Sequence, residues 1–76
     1  NNAINLKTIE ENCDSWITDG VATKKGKTIS VDLGEMGYDK LLGSGSTKQT
    51  YKLTISSASA KAVEKIEAAG GEIING

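Results

Sequence analysis

Histidine and arginine are absent from this 76-residue chain, and cysteine occurs once, as Cys13. The lack of histidine excludes Ser–His and Cys–His catalytic pairs, most zinc sites and ordinary histidine acid–base chemistry. A single cysteine cannot close an intrachain disulfide, and a lone thiol is typical of a reducing cytoplasm. No apolar run approaches the roughly 20 residues that a membrane-spanning helix needs. We therefore expect no cofactor, no metal site and no membrane contact.

Aromatic residues are also scarce, because the chain has no phenylalanine and only Trp16, Tyr38 and Tyr51. The length predicts a single globular domain over residues 1–76, with a core of Ile, Leu, Val and Ala. Trp16 and Cys13 share an apolar helix face, so we expect both in the core rather than on a base or a substrate. The two tyrosines are expected to pack with exposed hydroxyls.

The acidic residues form no pair suited to catalysis. Glu10 and Glu11 are adjacent on a predicted helix and point apart toward solvent, and Glu64 and Glu67 suit a solvated helix face. The sequence therefore predicts that the chain is not an enzyme and has no small-molecule substrate.

Hydrophobic periodicity predicts a mixed α/β (α+β) fold with two helices and about four short strands. A helix is expected at about 5–18, with Asn5 as its N-cap, and a second at about 60–69. Ser59 would cap the second helix, and Gly70-Gly71 would end it in a left-handed turn. The predicted strands lie at about 28–33, 40–43, 51–55 and 72–74.

The charge is unevenly distributed along the chain, although its net value is only −1. Residues 1–39 sum to −3 and residues 64–76 to −2, whereas residues 40–63 contain four lysines and no acid. A basic segment of this kind is compatible with nucleic-acid binding, while the overall balance is not typical of it.

Gly26-Lys27-Thr28 resembles the end of a phosphate-binding P-loop. That motif requires a glycine five positions before Gly26, where this chain has Val21, together with a preceding buried strand and a following helix. The flanking pattern here favours a short hairpin turn at Lys24–Gly26 that leads into the strand at 28–33.

The segment Gly43-Ser44-Gly45-Ser46-Thr47 has two interpretations. Glycine backbone N–H groups and hydroxyls can approach an anion closely, and Lys40 and Lys48 bracket the segment. A flexible surface turn has the same composition, and the residues alone favour the turn. An RNA partner would reverse that preference, because phosphates are contacted by such groups.

A longer pattern runs from residue 37 to residue 71. Residues 37–45 read Gly-Tyr-Asp-Lys-Leu-Leu-Gly-Ser-Gly, then a strand follows, then a helix with Ser59, Ala62, Ile66, Gly70 and Gly71 in fixed spacing. The pattern resembles the large-ribosomal-subunit protein fifteen family in its archaeal and eukaryotic form. The large-subunit protein eighteen-e family, which shares the globular fold, is similar as well.

The resemblance implies a small irregular β-β-α unit. It also implies a cytoplasmic structural constituent of the large ribosomal subunit that binds large-subunit rRNA and neighbouring ribosomal proteins. Family members usually carry an amino-terminal arm rich in Gly, Lys and Arg, so we expect this chain to be the carboxy-terminal globular part. The expected RNA contacts are Lys40, Lys48 and Lys52 on phosphates, close approach at Gly43, Ser44 and Gly45, and Lys61 as a further candidate.

An alternative function remains open from the sequence. The net negative charge and the lack of arginine, which provides bidentate phosphate contacts, favour a protein–protein interaction module without direct RNA contact.

Overall fold

The computed structural model describes residues 2–76, and it confirms the predicted fold class. Two helices, α1 (Leu6–Thr18) and α2 (Ala60–Ala68), combine with seven short strands. The strands are β1 (Ala3–Asn5), β2 (Ala22–Lys25), β3 (Thr28–Asp32), β4 (Lys40–Leu42), β5 (Thr50–Ile55), β6 (Ser57–Ala58) and β7 (Glu72–Asn75).

The strands form two sheets, and most of the pairing is parallel. The smaller sheet has the order β1-β4-β6 with both pairs parallel. The larger sheet has the order β2-β3-β5-β7, in which β2 and β3 form an antiparallel hairpin and the other pairs are parallel. Parallel strands cannot be joined by a tight turn, so the chain crosses between sheets and helices at almost every connection.

The hairpin turn between β2 and β3 confirms the interpretation of the Gly26-Lys27-Thr28 segment. Lys25 pairs with Thr28 across a two-residue loop, and Gly26 has a φ of +61°. No helix follows this turn, so the segment cannot cradle a phosphate as a P-loop does.

Three of the strands, β1, β2 and β6, lie outside the four predicted ones. β1 and β6 have three and two residues, and each is held by parallel pairing with β4, far away in sequence. β2 buries only Ala22, because its other three residues are exposed at the edge of the sheet. Strands that bury at most one residue leave no alternation in the sequence for a prediction to use.

The core is almost entirely aliphatic and is continuous through both sheets and both helices. Cys13 is buried as predicted, at 3% exposure, and Ala62 and Ile66 form the inner face of α2. Trp16 is only partly buried and packs against the rim of the core, so its expected place inside holds in part. The fully buried large side chains are Tyr51, Leu6, Ile9, Ile29, Leu33, Leu41, Leu53, Ile55 and Ile66.

Glu10 and Tyr51 differ from the sequence-based expectation. Tyr51 is 1% exposed, and its hydroxyl donates a 2.9 Å hydrogen bond to Glu10 Oε1 instead of facing solvent. The same carboxylate oxygen accepts from the backbone N–H groups of Lys48, at 3.0 Å, and Gln49, at 3.4 Å. Glu10 is therefore half-buried and ties α1 to the segment that enters β5, which a solvated acid would not do.

This environment predicts an alkaline instability. Burial raises the pKa of Tyr51 above its ordinary value of 10.0, and the neighbouring Cys13 and Glu10 raise it further. Above about pH 10 the unfolded chain releases the phenolic proton while the folded chain keeps it, so stability should fall by about 1.4 kcal/mol per pH unit. Urea unfolding at several pH values between about 9 and 12 should show this fall, and Tyr51→Phe should flatten it by that amount. An equally steep fall in the variant would contradict the assignment.

Candidate nucleic-acid interface

The three parallel strands of the smaller sheet end at one edge, and each is followed by an element that faces the others. β1 runs directly into α1, β6 leads through Ser59 into α2, and β4 leads into the loop at 43–45. The carboxyl ends of parallel strands are the usual place for binding sites in α/β folds, because loops and helix N-termini converge there. The edge therefore gathers residues from three distant parts of the sequence.

The Gly43–Gly45 loop lies between the N-terminal turns of the two helices. A methyl group on Gly43 would lie 2.9 Å from Ala62 N and 3.0 Å from Lys61 Cβ. A methyl group on Gly45, which has a φ of +94°, would lie 2.7 to 2.9 Å from Lys7 N, Cα and Cβ. Both glycines are thus required for packing against the helices, a role that the sequence interpretation, which assigned them to ligand approach, did not include.

Hydrogen bonds fix the loop in place. Lys65 Nζ donates to Gly43 O at 2.8 Å and to Gly45 O at 2.6 Å, two charge-assisted bonds from one ammonium group. Lys7 N–H donates to Ser44 O at 3.0 Å, and Ser44 N–H approaches Asn5 Oδ1 at 3.4 Å. The segment at 43–45 is therefore an ordered spacer, not the flexible turn that composition favoured.

The two helix starts are capped differently. Ser59 accepts a hydrogen bond from Ala62 N–H at 3.2 Å, as predicted. Asn5 occupies the N-cap position of α1 but makes no side-chain bond to the helix, since its side chain turns to the loop. The loop carbonyl of Ser44 takes over by accepting from Lys7 N–H.

A surface pocket of about 580 Å³ opens over this arrangement. It is lined by Asn5, Leu42, Gly43, Ser44, Gly45, Ser59, Lys61 and Lys65. Helix N-termini and ammonium groups both favour negative charge, so the pocket is suited to a phosphate or carboxylate group. We call these lining residues the loop pocket.

The structure brings four of the seven predicted site residues together. Gly43, Ser44, Gly45 and Lys61 line the loop pocket. Lys48 is next to it, lining an adjacent pocket of about 390 Å³ that shares Gly45 with the first.

Lys40 and Lys52 lie elsewhere. Lys40 begins β4, so about 10 Å of strand separates it from Gly43. Lys52 is exposed on β5 in the other sheet and pairs in register with Ser30 and Glu72. Both are exposed, but they do not belong to the loop pocket.

Two lysines of this region were missed by sequence reasoning. Lys65 binds the loop carbonyls, and Lys7 lines the adjacent pocket beside Lys48. Lys65 was counted in an acidic segment, yet its spacing of four from Lys61 places both on one flank of α2. That spacing was the available signal.

Other kinds of site find no support in residues 2–76. No group of three or more Cys, Asp or Glu side chains in this range could hold a metal ion. Neither of its helices has the length and apolar character needed to cross a membrane.

Comparison with known proteins gives a consistent result. The sequence model describing ribosomal proteins 50S-L15 and 50S-L18e and their 60S counterpart matches residues 3–74. The chain is 42% identical over 73 residues to "Large ribosomal subunit protein uL15" of Methanobrevibacter smithii, covering 96% of this chain and 50% of that protein. It is 42% identical over 71 residues to the protein of the same name from Hyperthermus butylicus, covering 93% of this chain and 47% of that protein.

The chain thus spans about half the length of the curated relatives that it matches. The match includes both helices and every strand from β1 to Ile74 of β7, so the resemblance drawn from residues 37–71 is confirmed over almost the whole chain. The chain belongs to the ribosomal protein family that includes 50S-L15 and 50S-L18e.

Proposed function

We propose that this chain is a structural constituent of the large ribosomal subunit in the cytoplasm, where it contacts large-subunit rRNA and neighbouring ribosomal proteins. The observation that carries the proposal is its membership of a ribosomal protein family over residues 3–74. No catalytic role is proposed, because the loop pocket has charge and shape but no nucleophile paired with a base.

The rRNA contact is proposed at the loop pocket and its lysine-bearing surroundings. Lys61 at the pocket and Lys48 beside it are exposed, so their ammonium groups are available to phosphates. Lys65 is committed to the loop carbonyls, and it contributes mainly a fixed positive charge beneath the surface. Such contacts position a protein on RNA without reading its sequence.

The predicted residues outside the pocket remain in the proposal with a smaller role. Lys40, at the far end of β4, could reach an adjacent phosphate of the same RNA strand. Lys52 faces another side of the molecule, where Glu72 is its register partner on β7, so we expect it to add least.

Weak, salt-sensitive RNA binding is the expected result for this chain. Each phosphate contact adds roughly 0.7 to 0.9 to the slope of log K against log salt, so a few lysines give a shallow dependence. Fluorescence titration of large-subunit rRNA from Methanobrevibacter smithii at several salt concentrations measures this slope. Nanomolar, sequence-specific binding at physiological salt would contradict the proposal.

A matched pair of variants locates the contact. The triple variant Lys40→Glu, Lys48→Glu, Lys61→Glu should weaken rRNA binding at least tenfold. The control Lys24→Glu, Lys25→Glu, Lys27→Glu changes the net charge equally at the exposed β2–β3 hairpin and should weaken it much less. Equal losses in both would mean that net charge alone governs binding, and the loop pocket would then have no special role.

The alternative function is a protein-interaction module without direct RNA contact. The acidic net charge favours it. Unchanged association of the first triple variant with salt-washed large subunits would support this alternative and exclude the loop pocket as an RNA contact.

A further inference from the structure

The outer edge of β7 exposes unpaired backbone groups. β7 ends the four-stranded sheet, and no strand within residues 2–76 pairs with its outer side. Gly76 N–H points to Ile55 O of β5 at 3.4 Å. Because alternate residues of a strand face the same neighbour, Glu72 and Ile74 also bond toward β5. The N–H and C=O groups of Ile73 and Asn75 therefore point outward.

The two edges of this sheet differ in their protection against strand addition. β2, the opposite edge, carries Lys24 and Lys25 and is followed by Lys27. Lysines on an edge strand are a common means of preventing another strand from pairing there. β7 has no lysine or proline, and its centre is the half-buried pair Ile73 and Ile74. The β7 edge is thus open to an extended partner where the β2 edge is not.

The charges around β7 indicate which partner fits. Glu72 begins the strand, and Glu67 lies on the flank of α2 opposite to Lys61 and Lys65, as the helical spacing requires. At the other end, Asp32 and Glu35 line a pocket of about 470 Å³ together with Gly76. Lys65, the only basic residue after Lys61, is bound to the loop carbonyls on the far flank.

We propose that the outer edge of β7 binds an extended, lysine- and arginine-rich segment of a neighbouring protein, which adds a fifth strand to the larger sheet. Backbone pairing to Ile73 and Asn75 would provide affinity, and the acidic rim would select a basic segment. The inference deepens the protein-contact part of the proposed function and rests on it for the ribosomal identity of the neighbour. A second copy of this chain fits poorly, because it would bring two acidic edges together.

A synthetic peptide tests the edge directly. The probe is Lys-Val-Lys-Val-Arg-Val-Lys, compared with Glu-Val-Glu-Val-Glu-Val-Glu and with a version N-methylated at alternate residues to remove backbone donors. Amide hydrogen exchange measured by NMR on this chain should show at least tenfold slower exchange at Ile73 and Asn75 with the basic peptide only.

Variants distinguish strand addition from simple charge attraction. Asn75→Pro removes an outward N–H but no bond to β5, so the sheet should persist while peptide protection is lost. Glu72→Lys should weaken peptide binding at least fivefold, whereas Glu64→Lys, an equal charge change on the exposed face of α2, should not.

Three results would overturn the proposal: equal effects of Glu72→Lys and Glu64→Lys, equal binding of the N-methylated peptide, or concentration-dependent protection of β7 without peptide, which would assign the edge to a second copy. Loss of peptide binding with normal rRNA titration would refute only this inference, since rRNA binding is measured at the loop pocket.

Discussion

Gly71→Ala is expected to lower the free energy of unfolding by about 3 kcal/mol or more, because overpacking against backbone exceeds the usual cost of overpacking against side chains. A methyl group at Gly71 would lie 3.0 Å from Tyr51 N, closer still to Tyr51 O, and 3.1 Å from Ile66 Cγ2. Gly71 N–H also donates to Ile66 O at 2.9 Å and closes the C-terminus of α2. Moving Gly71 away would break this closure and the start of the β5–β7 ladder. Urea denaturation measures the loss.

Gly26→Ala is the matched control. Gly26 has a φ of +61° but has open space where the methyl group would go. Its substitution should cost only the left-handed backbone penalty, about 1 kcal/mol. If the two variants were equally destabilised, the close contact between Gly71 and β5 would not be the cause.

Glu10→Ala is expected to cost about 2 to 4 kcal/mol, since hydrogen bonds to a charged acceptor and an unsatisfied buried hydroxyl both contribute. The variant removes the acceptor of Lys48 N–H, Gln49 N–H and the buried Tyr51 hydroxyl together. α1 and the entrance to β5 would lose their polar connection. Thermal and urea unfolding should show the loss, with the largest changes in NMR shifts at Lys48–Tyr51.

Two controls accompany this variant. Glu11→Ala changes an exposed acid one residue further along the helix and should stay within about 0.5 kcal/mol of the parent. Glu10→Gln keeps a carbonyl acceptor and should lose less than Glu10→Ala. A Glu10→Ala variant as stable as Glu11→Ala would show that the three hydrogen bonds contribute nothing to stability.

Local patterns in the sequence were sufficient to predict the two helices, β3 and β5. Alternating burial in Ile29, Val31, Leu53 and Ile55 and the Ser59 cap are each properties of a few neighbouring residues. β1 and β6 could not be predicted in this way, because their stability comes from parallel pairing with β4. The same applies to Glu10, whose partners are about 40 residues away in sequence.

The candidate site was predictable in its composition but not in its arrangement. The glycine-rich loop and Lys61 were identified from residue types, and the structure places them in one pocket. The roles of Gly43 and Gly45 depend on contacts with Lys61 and Lys7, which only the fold brings near. Lys40 and Lys52 were grouped with the loop by sequence proximity, which parallel strands in separate sheets do not preserve.

The parallel pairing has a consequence for how the chain folds. Ala3 pairs with Lys40, and Lys52 pairs with Glu72, so each sheet is completed by contacts between distant segments. Such non-local topologies fold slowly for their size, because loop closure precedes the gain from pairing. During synthesis, β5 would gain its second neighbour only after the segment Glu72–Asn75 has emerged, so the larger sheet can be completed only near the end of translation of this region.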